Sequence, residues 1–206
     1  MTKSLINVLS EEKIIPIIRS KDAQNAIDIA KALIDGGIKV LEINVETPSI
    51  YKAIEEISQH ADVCAGGIIT SIQADAAMQS GAKILSSPIF SMNLVKLSKD
   101  KQIPFIAGTS TANEAYSAWK ARIPLIKIYP ITAMGGAKYV ENILRPMPFL
   151  NIMPSGNVKL DEVVSYIEAG AKVVGVGRDF YEGYSFNEIT KRAQKVIEEL
   201  NICKKN

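Results

Sequence analysis

The sequence predicts an α/β protein wound as a single (β/α)8 barrel of the TIM type, and three observations lead there. Short β-branched runs alternate with amphipathic stretches of about ten residues along the whole chain, the pattern of helices covering a parallel sheet. Eight such runs can be counted. A weak repeat places a helix-ending glycine directly before a strand in Asp35-Gly36-Gly37-Ile38-Lys39-Val40, Ser80-Gly81-Ala82-Lys83-Ile84 and Ala169-Gly170-Ala171-Lys172-Val173. Glycine there tolerates the left-handed backbone that closes a helix. An open, doubly wound sheet uses the same local pattern and stays open as the alternative.

In chain order, strands are expected at residues 14–18, 40–44, 63–66, 83–86, 105–108, 125–128, 150–153 and 173–175. Helices fill most of the gaps. Residues 23–34 carry Ala26, Ile27, Ala30, Leu33 and Ile34 at helical spacing, and residues 162–168 carry Val163, Val164 and Ile167. No proline-rich, serine-rich or single-charge stretch marks a linker. With 206 residues, 47% of them hydrophobic, the chain can build one generous core but hardly two. Residues 1–206 are therefore expected to form one domain.

Charge excludes several partners. The 24 basic and 22 acidic side chains leave a net +2, too even a balance to build a large field toward nucleic acid or an acidic membrane surface. Lys204-Lys205 reads as a solvated tail. Cys64 lies in an apolar run and Cys203 near the C-terminus, neither placed to staple a small fold, so a reducing cytoplasm fits. Lys3, Glu11, Glu12 and Lys13 break up any secretory segment, and nowhere do eighteen apolar residues run together. The lone His60, in a polar Ser58-Gln59-His60 loop, reads as solvated. One histidine without clustered carboxylates makes a poor metal site, so no metal is expected.

Strand parity singles out the chemistry. Barrel strands are apolar on both faces, and three of these break that rule at one residue each. Lys127 interrupts Ile126-Lys127-Ile128, Glu42 interrupts Leu41-Glu42-Ile43, and Arg19 closes Ile17-Ile18-Arg19. Val40, Glu42 and Asn44 are expected to share the inner face, as are Leu125, Lys127 and Tyr129. All three charges lie toward the C-terminal ends of their strands, where such barrels hold their active sites. A structural ion pair is the bland alternative, but such a pair is costly to bury and not obviously stabilising. A lysine in a desolvated pocket loses its proton more readily, and its neutral amine attacks carbonyls. Glu42 is then the candidate proton carrier, and Arg19 the candidate clamp for a substrate carboxylate.

Weaker signals follow. Gly156 after Met153-Pro154-Ser155, and Gly175-Val176-Gly177 after the last strand, sit where phosphate-binding barrels use their last two loops. Glycine pairs also end helices and strands generally. Gly135-Gly136 after Met134 reads as loop chemistry before a helix.

Together these landmarks resemble the 2-keto-3-deoxy-6-phosphogluconate (KDPG) aldolase and 4-hydroxy-2-oxoglutarate (KHG) aldolase family, from about Ile14 to the final helix. The matching runs are Ile15-Pro16-Ile17-Ile18-Arg19, Gly36-Gly37 leading into Leu41-Glu42-Ile43, Ser87-Pro88, Gly108-Thr109-Ser110-Thr111, Lys127-Ile128-Tyr129-Pro130 and Pro154-Ser155-Gly156. The lysine-hydrophobic-aromatic-proline run, similar to the family's Schiff-base strand, is the most specific. The resemblance implies a class I aldolase with Lys127 as imine-forming residue, Glu42 as acid/base and Arg19 as carboxylate contact. It further implies Pro88 and Tyr129 lining the pocket, and Ser155, Gly156 and Gly177 toward the substrate's hydroxyls and phosphate; Arg178, which stands where the family has serine, is expected either to salt-bridge that phosphate or to obstruct it. It also implies a homotrimer that uses no metal and no organic cofactor and cleaves a small 2-oxo acid to pyruvate, or glyoxylate, plus an aldehyde.

The departures are as informative. The family's Gly-Ala-Gly-Thr-Val is Cys64-Ala65-Gly66-Gly67-Ile68 here, so the hydroxyl expected near the pyruvate carboxylate is replaced by Ile68. Glu46 stands where some members carry arginine. Pro-Thr-Gly-Gly becomes Pro154-Ser155-Gly156-Asn157, and Gly-x-Gly-Ser becomes Gly175-Val176-Gly177-Arg178. The expected reaction is cleavage of a 2-keto-3-deoxy sugar acid, phosphorylated at C6, to pyruvate and glyceraldehyde 3-phosphate. Two rivals stay open: a non-catalytic barrel that binds a phosphorylated metabolite, and another phosphosugar barrel enzyme such as an epimerase or isomerase.

Overall fold

A computed structural model describes residues 5–203; Lys3, Lys204, Lys205 and the Cys203 side chain lie outside the described residues. The strands are β1 Ile14–Ile18, β2 Val40–Asn44, β3 Asp62–Gly66, β4 Ile84–Ser86, β5 Phe105–Thr109, β6 Leu125–Ile128, β7 Ile152–Pro154 and β8 Val174–Val176. The helices are α1 Leu5–Glu12, α2 Ala23–Asp35, α3 Ile50–Ile57, α4 Ser71–Gln79, α5 Met92–Asp100, α6 Ala112–Lys120, α7 Ile131–Met134, α8 Gly136–Leu144, α9 Val163–Glu168 and α10 Phe186–Cys203, with 3-10 turns at Leu160–Glu162 and Arg178–Phe180.

All strand pairs are parallel and run in the order β7-β6-β5-β4-β3-β2-β1-β8. A further parallel bridge between Ser155 and Gly175 joins β7 to β8 and closes the ring. The doubly wound alternative is thereby overturned, since it needs a reversal of strand order that is absent here. The left-handed glycines fall where the repeat puts them, with φ of 97° at Gly37, 95° at Gly81 and 101° at Gly170.

Alternation along the strands sorts the core into two parts. Outward residues such as Ile18, Leu41, Ile43, Val63, Leu85, Ile126 and Ile128 pack against the helices. Inward residues stack in layers supplied by alternate strands, as barrel closure requires. The lowest layer is Val40, Ile84, Leu125 and Val173, and above it lie Ile15, Cys64, Ile106 and Met153. Ile6 and Leu9 of α1 pack beneath them and plug the N-terminal end. By the same register, the third layer is Glu42, Ser86, Lys127 and Gly175, and the fourth is Ile17, Gly66, Gly108 and Ser155.

The expected strands hold within two residues. β4 starts one residue late because Lys83 is exposed and pairs with Asp62 at 2.6 Å. β7 starts late because the Leu150 N–H is taken by Met147 O at 3.1 Å, and β8 begins pairing when the Val174 N–H reaches Lys13 O at 2.9 Å. Gly135 is the turn residue between α7 and α8, left-handed at φ 113°, and Gly136 opens α8 as expected of a pair before a helix.

Candidate active site

β6 and β2 bring their charged residues to the barrel axis. Lys127 Nζ lies 2.9 Å from both Glu42 Oε1 and Glu42 Oε2, with the two residues 5% and 1% exposed. The Lys127 strand is pinned in place, because Thr109 Oγ1 donates to Lys127 O at 3.1 Å and Ser110 Oγ donates to Tyr129 O at 2.7 Å. Thr111 and Glu114 form a capping box at the start of α6, and N–H groups of Ser110 and Thr111 hold the Glu114 carboxyl below its ordinary value.

Glu42 does not act alone. With its amide nitrogen turned to Glu42 and its oxygen to Arg19, Asn44 donates to Glu42 Oε1 at 3.0 Å and accepts from the Arg19 guanidinium at 3.2 Å. Arg19 Nη1 also lies 3.6 Å from Glu46. A polar chain thus runs from amine to carboxylate to amide to guanidinium, up and out of the barrel. Gly66 makes room for it, since an added Cβ would press into the Asn44 amide and the Glu42 carboxylate. Gly108 similarly lets the backbone of Ser87 and Pro88 cross close above β5.

Above the pair opens a cavity of about 570 Å3 lined by Arg19, Tyr129, Ser155, Gly156, Gly177 and Arg178, among others. Lys127 and Glu42 are not on its walls; they lie one layer down, below Ile17 and Ser155. The far rim carries charge of both signs. Lys159 is 2.8 Å from Asp179, whose second oxygen accepts from the Leu160 N–H at 2.9 Å. Burial works to raise the Asp179 carboxyl, but Lys159, Leu160 and Arg192 outweigh it and hold it below its ordinary value. Among the described residues, Arg178 makes no ion pair, so its charge remains available to the cavity. Asn157 adopts the left-handed backbone, with φ 56°.

Of the expected site residues, the structure brings together Lys127, Glu42, Arg19, Tyr129, Ser155, Gly156, Gly177 and Arg178. Pro88 is half-buried over Gly108 and is not on the cavity wall. Ile68 needs correction. It is wholly buried among the outer core residues, so it fills no place at the mouth; counted along the run, the threonine falls at Gly67, which has φ 74° and where an added Cβ would meet Val45 and Asn44 at ordinary contact distance. Sequence reasoning missed the part played by Asn44, although parity put it on the inner face. It also missed Tyr181, whose hydroxyl accepts from the Arg19 N–H at 2.9 Å; burial pushes that phenol up. Cys64, directly below the pair, is a free thiol pushed well up by burial and by the Glu42 charge. Among the described residues no group of three potential metal ligands occurs, and no helix is long and apolar enough to cross a membrane.

A closed parallel barrel with an amine and a carboxylate in contact just below its C-terminal mouth defines a lysine-centred (β/α)8 protein of the aldolase class. The family model for KDPG and KHG aldolase matches residues 5–199, and the chain belongs to that family, whose named members are carbon–carbon lyases. Among relatives, the 2-dehydro-3-deoxy-phosphogluconate aldolase of Treponema pallidum is 27% identical, covering 95% of this chain and 97% of its own. The KHG/KDPG aldolase of Escherichia coli K12 is 28% identical, covering 93% and 94%. In structure, KDPG aldolase from Legionella pneumophila, with pyruvate captured as a covalent carbinolamine, superposes with a TM-score of 0.84 at 26% identity, covering 92% and 96%. The Zymomonas mobilis ATCC 29191 enzyme, at 22% identity and TM-score 0.86 over 94% and 96%, shares the fold.

Proposed function

We propose that this chain, as one aldolase domain, is a class I enzyme that cleaves a 2-keto-3-deoxy sugar acid, phosphorylated at C6, to pyruvate and glyceraldehyde 3-phosphate. The observation that carries the proposal is the buried amine of Lys127 at 2.9 Å from Glu42 beneath an open cavity. Passing one proton from Lys127 to Glu42 leaves a neutral amine and a carboxylic acid. The amine adds to C2 and Glu42 protonates the departing oxygen; as a carboxylate Glu42 then takes the C4 hydroxyl proton while the C3–C4 bond breaks to give the aldehyde and an enamine, and it returns that proton to the enamine carbon. Arg19 and Asn44 face the cavity side of Glu42, where a carboxylate on C1 pairs with the guanidinium. At the other end, Arg178 with Gly156 and Gly177 suits a phosphate, and Tyr129 and Ser155 stand between the two ends.

The test is borohydride reduction in the presence of pyruvate, followed by peptide mapping. An adduct on Lys127 together with release of pyruvate from the sugar acid supports the reading; neither appearing removes it. The binding-only reading draws on one observation, that Glu46 already engages Arg19 at 3.6 Å. Calorimetric binding of a sugar phosphate without cleavage of any 2-oxo acid favours it instead.

We further infer a cytoplasmic homotrimer. Ile69, Ile72, Ile89 and Met92, on the loops and first helical turns after β3 and β4, expose apolar surface of the kind that subunit contacts cover.

A further inference from the structure

Ser86 is the polar member of the third layer that the mechanism above leaves unused. Ile84 packs in the inner cluster and Leu85 in the outer one, so Ser86 faces the barrel axis. The register sets it at the level of Glu42 and Lys127, and the fourth place in that layer is Gly175, which has no side chain. Ser86 is wholly buried, yet its Oγ has no hydrogen-bond partner among the described residues. An unpaired buried hydroxyl costs stability and calls for an explanation. The serine that follows the strand does not behave this way: Ser87 Oγ accepts from the Ile89 N–H at 3.2 Å.

We propose that Ser86 is a further catalytic residue, whose hydroxyl holds the oxygen leaving C2 of a 2-oxo acid, first as the carbinolamine hydroxyl and then as water. The proposal rests on the reading of Lys127 as the imine-forming amine. Lys127 Nζ, freed of one proton to Glu42, forms the C–N bond at C2 as the carbonyl π pair moves onto oxygen. Glu42 gives its proton to that oxygen and takes one from the nitrogen, which yields the carbinolamine. Glu42 then protonates the hydroxyl, the C–O bond breaks, water leaves, and the nitrogen lone pair completes the C=N bond. Ser86 gains and loses no proton in sum. Its O–H donates to the oxygen from the addition step until that oxygen departs as water and exchanges with the solvent. Lys127 and Glu42 are joined to each other, and Asn44 holds Glu42 from above, so Ser86 is the uncommitted donor at this level.

Pyruvate labelled with 18O at C2 tests this on the full chain. Label loss above the uncatalysed background reads passage through the imine, and deuterium entry at C3 per imine formed reads the enamine step, in which that oxygen takes no part. Ser86→Ala is expected to slow label loss about tenfold, the scale of one neutral hydrogen bond. It is expected to leave C3 exchange per imine unchanged and to raise the Tm of the ligand-free protein. Label loss at the wild-type rate overturns the proposal, and so does an equal slowing of C3 exchange per imine, which would make Ser86 a prop for Glu42. Should Ser86→Ala not fold, Ser86→Cys, a weaker donor of similar shape, is read the same way. Wild-type protein that loses no label and traps no adduct removes the imine reading itself and this proposal with it. That failure is distinguishable because it appears before any variant is made.

Discussion

Lys127 and Glu42 stand 85 residues apart in the chain, yet the lysine amine touches both oxygens of the carboxylate inside an apolar wall. Neither charge is cheap to bury, and removing one leaves the other without a counter-ion. Lys127→Ala is expected to abolish adduct formation and to destabilise the protein by about 3–5 kcal/mol, whereas Lys127→Met with Glu42→Gln removes both charges and recovers most of that loss. Urea unfolding of Lys127→Ala, of Lys127→Met and Glu42→Gln singly, and of the double variant checks it. Simple addition of the two single losses would show that the pair is not an energetic unit.

Gly66 is needed for space and not for backbone freedom. Gly66→Ala pushes a methyl group into the Asn44 amide and the Glu42 carboxylate. Turnover is expected to fall by about a hundredfold, the scale of losing a general acid/base, with the far-ultraviolet spectrum unchanged. Proton exchange on pyruvate measures the effect, and wild-type exchange would mean that Glu42 tolerates displacement.

Arg178 is the cavity cation left unpaired among the described residues. Arg178→Ser is expected to weaken phosphorylated sugar acids about tenfold or more, on the scale of a charge-assisted hydrogen bond, while sparing pyruvate. Titration of both ligands decides it. Constant affinity for the phosphorylated ligand would leave Arg178 a surface residue.

The pH dependence of stability has a contribution from Asp179. Its carboxyl is depressed when folded, so its contribution is complete above the ordinary value of 3.8 and is lost as the pH falls through the lower folded value. At neutral pH, Asp179→Asn is expected to cost about 1–2 kcal/mol, a difference that shrinks on acidification below 3.8. Tm measured for both proteins across that range reads the convergence; parallel curves would contradict it.

Ile72 is 80% exposed and Met92 59% exposed, on neighbouring helix starts. Changing both to glutamate is expected to turn a trimer into monomers without unfolding them, read by sedimentation. A wild-type protein already monomeric would remove the subunit proposal.

The barrel and its central pair were legible in the sequence because both follow from alternation. Lys127 and Glu42 each interrupt an aliphatic run, and parity alone aims them inward. Parity also aims Asn44 and Ser86 inward, but a neutral side chain among apolar neighbours raises no alarm, and only the three-dimensional register puts Ser86 level with the lysine. Tyr181 was invisible for another reason: its hydroxyl meets Arg19 across 162 residues, and no local spacing encodes that contact. The position of the missing threonine was legible as well, since the run Cys64-Ala65-Gly66-Gly67-Ile68 places it at Gly67, and the burial of Ile68 in the outer core agrees.

Among the described residues, the plug of Ile6 and Leu9 beneath two apolar layers closes the N-terminal end, and the chamber opens at the C-terminal mouth. Whatever is tethered at the bottom has to wait for the part nearer the exit to depart. On the chemistry proposed above, architecture then orders the release: the aldehyde half leaves first, and the fragment held by Lys127 is last out.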